Sequence, residues 1–180
     1  MKVDLRVVKT HQAIRNALLN LLAERDYDDI AAQDIIAAAQ VNRATFYKYY
    51  SGKNAVAAAM IAEFKQDYAA NLAERLAADN LPDFLQQSAD ALFKQHALLL
   101  ALWKIQTPKL HLYDDMRAML QTHFAAMLPE TAPDDYRVKI MATLLLETVR
   151  HFFERRQAVP VARVLEEMAA VMRLVRAEAV

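Results

Sequence analysis

Residues 41–53 carry Arg43, Lys48 and Lys53 beside Tyr47, Tyr49 and Tyr50, with no acidic residue among them. A guanidinium and two ammonium groups interleaved with phenols make a face that suits phosphate oxygens, and an arginine near a helix start is also able to fork onto a guanine edge. The other titratable residues argue for less. Glu147 and His151, four apart, share a helical face as metal ligands would. A di-iron carboxylate bundle, however, needs Glu-x-x-His twice with two further glutamates, a set missing from this chain. They read as a polar surface or dimer-rim pair. His96, His111, His123 and His151 read as ordinary helix-surface histidines. Asp114-Asp115 and Asp134-Asp135 fall near helix starts, where the dipole favours negative charge, so capping accounts for them without catalysis. Neither an active site nor a metal site is expected, and no cofactor.

Composition narrows the field further. One glycine in 180 residues, where average usage supplies roughly a dozen, excludes a P-loop or a G-x-G-x-x-G dinucleotide turn, since only Gly52 takes positive φ without steric cost. Without cysteine there is no disulfide, no thiolate metal site and no cysteine nucleophile. The 56% hydrophobic fraction, the five prolines and the abundant alanine favour a helical chain able to bury a core. Basic and acidic residues balance at 22 each, so the whole chain has no nucleic-acid signature. Residues 1–65 nevertheless hold nine basic and seven acidic residues, against thirteen and fifteen in 66–180. Charges interrupt every apolar run at the amino end, and apolar runs such as residues 97–103 are far below the eighteen or so of a membrane span. A cytoplasmic location is the expectation.

The elements that must position the basic, aromatic stretch follow from periodicity. A first helix is expected over about 4–25, with Ile14, Leu18, Leu21 and Leu22 as its buried stripe. Asp26-Tyr27-Asp28-Asp29 breaks it. A short helix at 33–39 anchors through Ile35 and Ile36, a turn follows at Gln40-Val41-Asn42, and Asn42 caps a second short helix over 43–49. Ser51 is expected to cap a long helix carrying Val56, Met60, Phe64, Tyr68, Leu72 and Leu76, which Asn80-Leu81-Pro82 ends. Helices at 82–95, 97–106 and 110–128 come next. After a loop at 129–133, helices at 134–157 and 161–176 form a hairpin about a turn at Pro160. The fold class is all-α.

Two short helices joined by a three-residue turn describe a helix-turn-helix. Phe46 and Val41 should face inward onto Ile35 and Ile36. Arg43, Ala44, Thr45 and Lys48 are then left on a groove-facing side, where arginine bonds guanine and the alanine or threonine methyl meets a thymine methyl. Gln33 and Asn42 complete the DNA-facing set. Tyr47 and Lys53 sit at the rim, beside the exposed amides of the long helix, as a phosphate clamp.

These residues resemble the TetR/AcrR-type one-component bacterial transcription regulators. The resemblance covers about residues 10–65, through Ile14, Ala17, Leu22, Tyr27, Ile30, Asp34-Ile35, Ala38-Ala39, Val41, Thr45-Phe46-Tyr47, Tyr50 and Lys53, and the Asn-Arg-Ala-Thr-Phe-Tyr form looks like one subgroup. It implies recognition-helix roles for Arg43, Ala44, Thr45 and Lys48, and phosphate contacts for Tyr47 and Lys53. Four positions depart from the family pattern. Asp26 and Gln40 stand where glycine is usual, Ala31 replaces a capping Thr or Ser, and Asn54 replaces a common Glu.

The resemblance also implies the organisation: a helix-turn-helix domain over 1–52, a connecting helix over 53–80, and a helical effector-binding and dimerisation domain over 81–180. It implies a homodimer through helices about 134–157 and 161–176, reading a palindromic operator in double-stranded DNA, with a small-molecule effector and no membrane partner. Trp103, Met116, Met119, Phe124 and Met127 are candidates to line an effector cavity, soft and adaptable side chains that serve equally as plain core. The expected function is a ligand-responsive repressor, not an enzyme. The alternative is a helical ligand-binding or protein-interaction bundle with a vestigial helix-turn-helix.

Overall fold

The computed structural model describes residues 5–76, 81–128 and 130–177. Among them every regular element is helical. The order is α1 (Leu5–Glu24), a 3-10 turn (Tyr27–Asp29), α2 (Ala32–Ala38), α3 (Arg43–Tyr49), α4 (Lys53–Leu76), α5 (Leu81–Phe93), α6 (His96–Trp103), α7 (Leu112–Met127), α8 (Tyr136–Glu154) and α9 (Val161–Ala177). The all-α expectation holds. Asp4 at the start of the first expected helix, Asn80 at the end of the fourth and Pro129 of the loop lie outside the described residues. No helix among the described residues is long and apolar enough to cross a membrane.

Two boundaries move for local reasons. Helix α6 stops at Trp103 rather than at 106, because Lys104 and Ile105 donate their N–H groups three residues back, to Ala101 and Leu102 (3.2 and 3.1 Å), which tightens the chain out of the α form. At the start of α4 the carbonyl of Gly52, not that of Ser51, accepts from Ala55 and Val56. The cap therefore falls one residue later than expected.

The chain divides into two compact units, Met1–Tyr68 with Leu98–Met116, and Ala69–Ala97 with Arg117–Val180. In the first, Ile14, Leu18 and Leu22 of α1 are fully buried at the expected spacing and Leu21 is half-buried. Val56, Met60 and Phe64 continue this core along α4. Polar contacts tie its helices together: Arg15 pairs with Glu63, and Lys65 Nζ bonds Asp115 at 2.7 Å. Lys104 Nζ donates to the carbonyl of Leu22 at 2.8 Å, so an ammonium satisfies one of the last carbonyls of α1 where the dipole favours positive charge.

In the second unit, Val138, Ala142, Leu146, Val149 and Phe153 bury one face of α8. The Phe153 ring meets Phe93 at 5.5 Å and His96 at 6.3 Å. Helix α5 packs on α9, where the amide of Gln86 stands in for backbone: it accepts from Val161 N at 3.0 Å and donates to Val159 O at 3.2 Å. Asp135 caps α8 by accepting from Arg137 N at 2.8 Å, and Asp114 and Asp115 lie in the first turn of α7, the helix-start roles expected of both doublets.

Candidate nucleic-acid interface

Helix α2 begins without a hydroxyl cap. Ala31 is extended (φ −96°, ψ 158°) and offers only a methyl group, so half of a capping box is left: the Asp34 carboxylate accepts from the Ala31 N–H at 2.9 Å. At the other end Gln40 adopts φ 53°. Its N–H reaches Ala37 O at 3.1 Å and that of Val41 reaches Ile36 O at 3.3 Å, the paired bonds of a Schellman ending. A residue with a Cβ in that conformation costs about 1 kcal/mol or more relative to glycine. The single glycine does not relieve such strain anywhere, since the described positive-φ residues are Gln40, Glu130 and Arg156. Asp26, by contrast, is ordinary extended backbone (φ −71°, ψ 150°) and needs no glycine.

Helix α3 starts where Asn42 accepts from Ala44 N at 2.8 Å, the expected cap. Phe46 is fully buried, and Ile35 and Ile36 are buried beside the turn, whereas Val41 is only half-buried. Outward, Gln33, Asn42, Arg43, Ala44, Tyr47 and Lys48 are exposed and Thr45 is half-exposed. Three of the expected residues come together: Arg43 Nη1 donates to Gln33 Oε1 at 3.1 Å, and its guanidinium carbon lies 5.4 Å from the Tyr47 ring centroid. Lys48 lies 5.4 Å from the Tyr49 ring.

Lys53 is placed differently from the rest of the set. Its ammonium donates to the carbonyls of Tyr27 (2.7 Å) and Asp28 (3.2 Å) and sits 4.5 Å from the Tyr27 ring centroid. With three donors on a lysine, one remains for another acceptor. Asn54, one residue on, accepts from the Tyr27 hydroxyl at 2.6 Å, so the amide that departs from the family pattern holds the 3-10 turn to α4. Sequence reasoning missed this contact, and it also missed His11, whose Nδ1 lies 2.8 Å from the Tyr50 hydroxyl and whose ring is 4.7 Å from that of Tyr49. Neither pair has a local signature, being 27 and 39 residues apart.

Burial, aided by Asp28, pushes the Tyr27 hydroxyl up to about 12 from its ordinary 10.0. The folded chain thus keeps the proton where the unfolded chain gives it up, and stability falls as pH rises through that window. Tyr27→Phe should cost about 1 kcal/mol at pH 9 for the lost hydrogen bond. The gap to the parent should narrow by pH 11.5 in urea titrations; a gap that widens there contradicts the assignment.

Of the candidate effector residues, Trp103 and Met116 belong to the first unit, both buried, and the indole N–H donates to the methionine sulfur at 3.3 Å. Met119, Phe124 and Met127 belong to the second unit, where Phe124 is buried, Met119 half-buried and Met127 exposed. His96 Nδ1 lies 2.8 Å from the carbonyl of Phe93, His111 pairs with Asp115 at 3.2 Å, and Glu147 pairs with Arg150 at 3.3 Å. His123 is buried rather than on the surface, correcting the expectation for that histidine. Among the described residues no group of three or more His, Asp or Glu is arranged to hold a metal ion.

A short helix capped by Asn42, anchored through one phenylalanine and presenting arginine, lysine and tyrosine outward after the four residues 39–42, makes with α2 a helix-turn-helix. Residues 14–60 match the bacterial regulatory proteins, tetR family. A 61-residue stretch is 41% identical to the uncharacterized HTH-type transcriptional regulator YxbF of Bacillus subtilis, covering 33% of this chain and 16% of that relative, so the chain spans a small part of its length. The fold as a whole is similar to a TetR transcriptional regulator from Streptococcus agalactiae (23% identity, 90% of this chain and 92% of that one, TM-score 0.63). It is also similar to a gamma-butyrolactone receptor described as ArpA-like (22% identity, 96% and 99%, TM-score 0.59). The fold is similar to that of these solved regulators, and residues 14–60 match the tetR family model.

Proposed function

We propose that this chain is a sequence-specific DNA-binding transcription regulator, a repressor that binds a palindromic operator as a homodimer and is released by a small molecule. It is no enzyme on this reading, and it works in the cytoplasm, where its operator lies. The observation that carries the reading is the outward surface of α3: Arg43, Ala44, Tyr47 and Lys48 are exposed and Thr45 half-exposed, while Phe46 is buried. Residues 1–52 supply DNA binding, 53–80 the connecting helix, and 81–180 the effector-binding and dimerisation functions. Lys53 contributes its remaining donor to a backbone phosphate.

The dimer is supported by an apolar face that the single chain leaves in water: Tyr136, Ile140 and Leu144 on α8, with Leu165 and Val171 on α9. A two-fold dimer that reads a palindrome presents its two recognition helices about 34–36 Å apart, one turn of duplex. An effector is supported by the resemblance in fold to a gamma-butyrolactone receptor. Trp103 and Met116 in one unit, and Met119, Phe124 and Met127 in the other, are the residues proposed to answer to it.

The test is binding of the purified protein to the DNA flanking its own gene, titrated against salt beside a scrambled duplex of equal length. A palindromic footprint bound about a thousandfold or more above the scramble supports the regulator. Equal and equally salt-labile binding to both duplexes rejects sequence-specific control.

A further inference from the structure

Arg43 is held from two sides. Its Nη1 donates to Gln33 Oε1 at 3.1 Å, across the turn on α2, while Tyr47, one helical turn on, lies under its guanidinium at 5.4 Å. The nearby carboxylate that would otherwise compete is occupied elsewhere: Asp34 accepts from Ala31 N at 2.9 Å and pairs with Arg25 at 3.5 Å. An arginine can only donate, so the amide oxygen of Gln33 must face it and the amide NH2 must turn away. The two exposed side chains therefore present mainly N–H groups, four left on the guanidinium and two on the amide, beside the second lone pair of the Gln33 oxygen.

Resting on the regulator reading above, we propose that Gln33 is a specificity-positioning residue. It holds Arg43 in one orientation, so that the guanidinium reads the two acceptors of a guanine edge, O6 and N7, in the major groove. A free arginine on a helix start samples many rotamers and also binds phosphate or thymine O4. Fixing the fork in advance removes that freedom, and so favours the one edge that takes two parallel N–H donors. Gln33 thus acts through Arg43 and does not read a base of its own.

The experiment is selection from a pool of randomised duplexes with the full chain, its Arg43→Ala, Gln33→Ala and Gln33→Glu variants, each checked for unchanged thermal melting. The parent should enrich a site with one guanine per half-site whose preference Arg43→Ala erases, a loss of about tenfold to a hundredfold. Gln33→Ala should weaken the preference for that same guanine by about tenfold and spare the other positions. Gln33→Glu keeps an acceptor on Arg43, so it should retain the guanine while lowering affinity on every sequence by charge repulsion with phosphate. A Gln33→Ala variant that alters a different position, or none, overturns the positioning role and leaves the regulator standing. A parent that enriches no sequence overturns both.

Discussion

Phe46→Ala should lower the free energy of unfolding by about 3–5 kcal/mol, the range for deleting a fully buried phenyl ring from a packed core. The ring is wholly excluded from solvent and meets Tyr47 edge-on at 5.3 Å and Tyr50 at 6.0 Å. Helix α3 has seven residues, well short of the roughly dozen at which an isolated helix becomes marginal in water. Its shape therefore comes from Asn42 at one end and from this single anchor, and the loss is concentrated where the proposed DNA-facing residues stand. Against a total stability of about 5–15 kcal/mol, the variant should show a lower urea midpoint and no specific DNA binding at 37 °C. Phe46→Leu refills part of the space and should recover much of the loss. Lys48→Ala, on the exposed side, should stay within about 0.5 kcal/mol of the parent in stability and still weaken DNA binding. A Phe46→Ala loss under about 1 kcal/mol would mean that the outward face of α3 is held by something other than this ring.

The same residues explain why α3 was legible in the sequence and its neighbourhood less so. Asn42 and Phe46 act within a few positions of one another, so the expected bounds of 43–49 and the observed helix coincide. Gln40 likewise sits where a left-handed residue is needed between two short helices, and it takes φ 53° despite its side chain. Lys53 was expected at the rim because a basic residue at a helix start suits phosphate. Two of its donors go to the carbonyls of Tyr27 and Asp28, 26 and 25 residues back on the 3-10 turn. Nothing local encodes that choice. Other elements obey the same division: Asp135 announces the start of α8 in its own sequence, whereas the Trp103 contact with Met116 depends on a bend after α6 that tight turns at Lys104 and Ile105 create. Ala31 offers no side-chain cap, and Asp34 makes up half of the capping because a carboxylate three residues on reaches back to the helix start.

The largest effect belongs to α8, whose second apolar face is exposed among the described residues. Tyr136, Ile140 and Leu144 recur every four residues and are 71%, 59% and 42% exposed, while Val138, Ala142, Leu146 and Val149 bury the opposite side. Scattered exposed apolar residues are normal on a soluble protein, but a stripe at helical spacing on a helix already buried on its other side is the pattern of a helix with a second neighbour. Further along the same face stand Glu147 and His151, a polar rim to the stripe. In a two-fold pair every contact occurs twice, so Ile140→Glu removes two apolar side chains, about 3–6 kcal/mol in all, before the cost of burying two carboxylates. The dimer dissociation constant should rise by about a hundredfold to ten-thousandfold, turning a micromolar sample from dimer to monomer in sedimentation. Operator affinity should fall with it, because a monomer engages one half-site and loses the effective concentration that the second provides. Lys139→Ala, exposed on the flank of the helix, should change neither, which separates loss of the face from damage to the helix. If Ile140→Glu leaves the dissociation constant unmoved, the two copies meet elsewhere, and the spacing of the half-sites has to be derived from another surface.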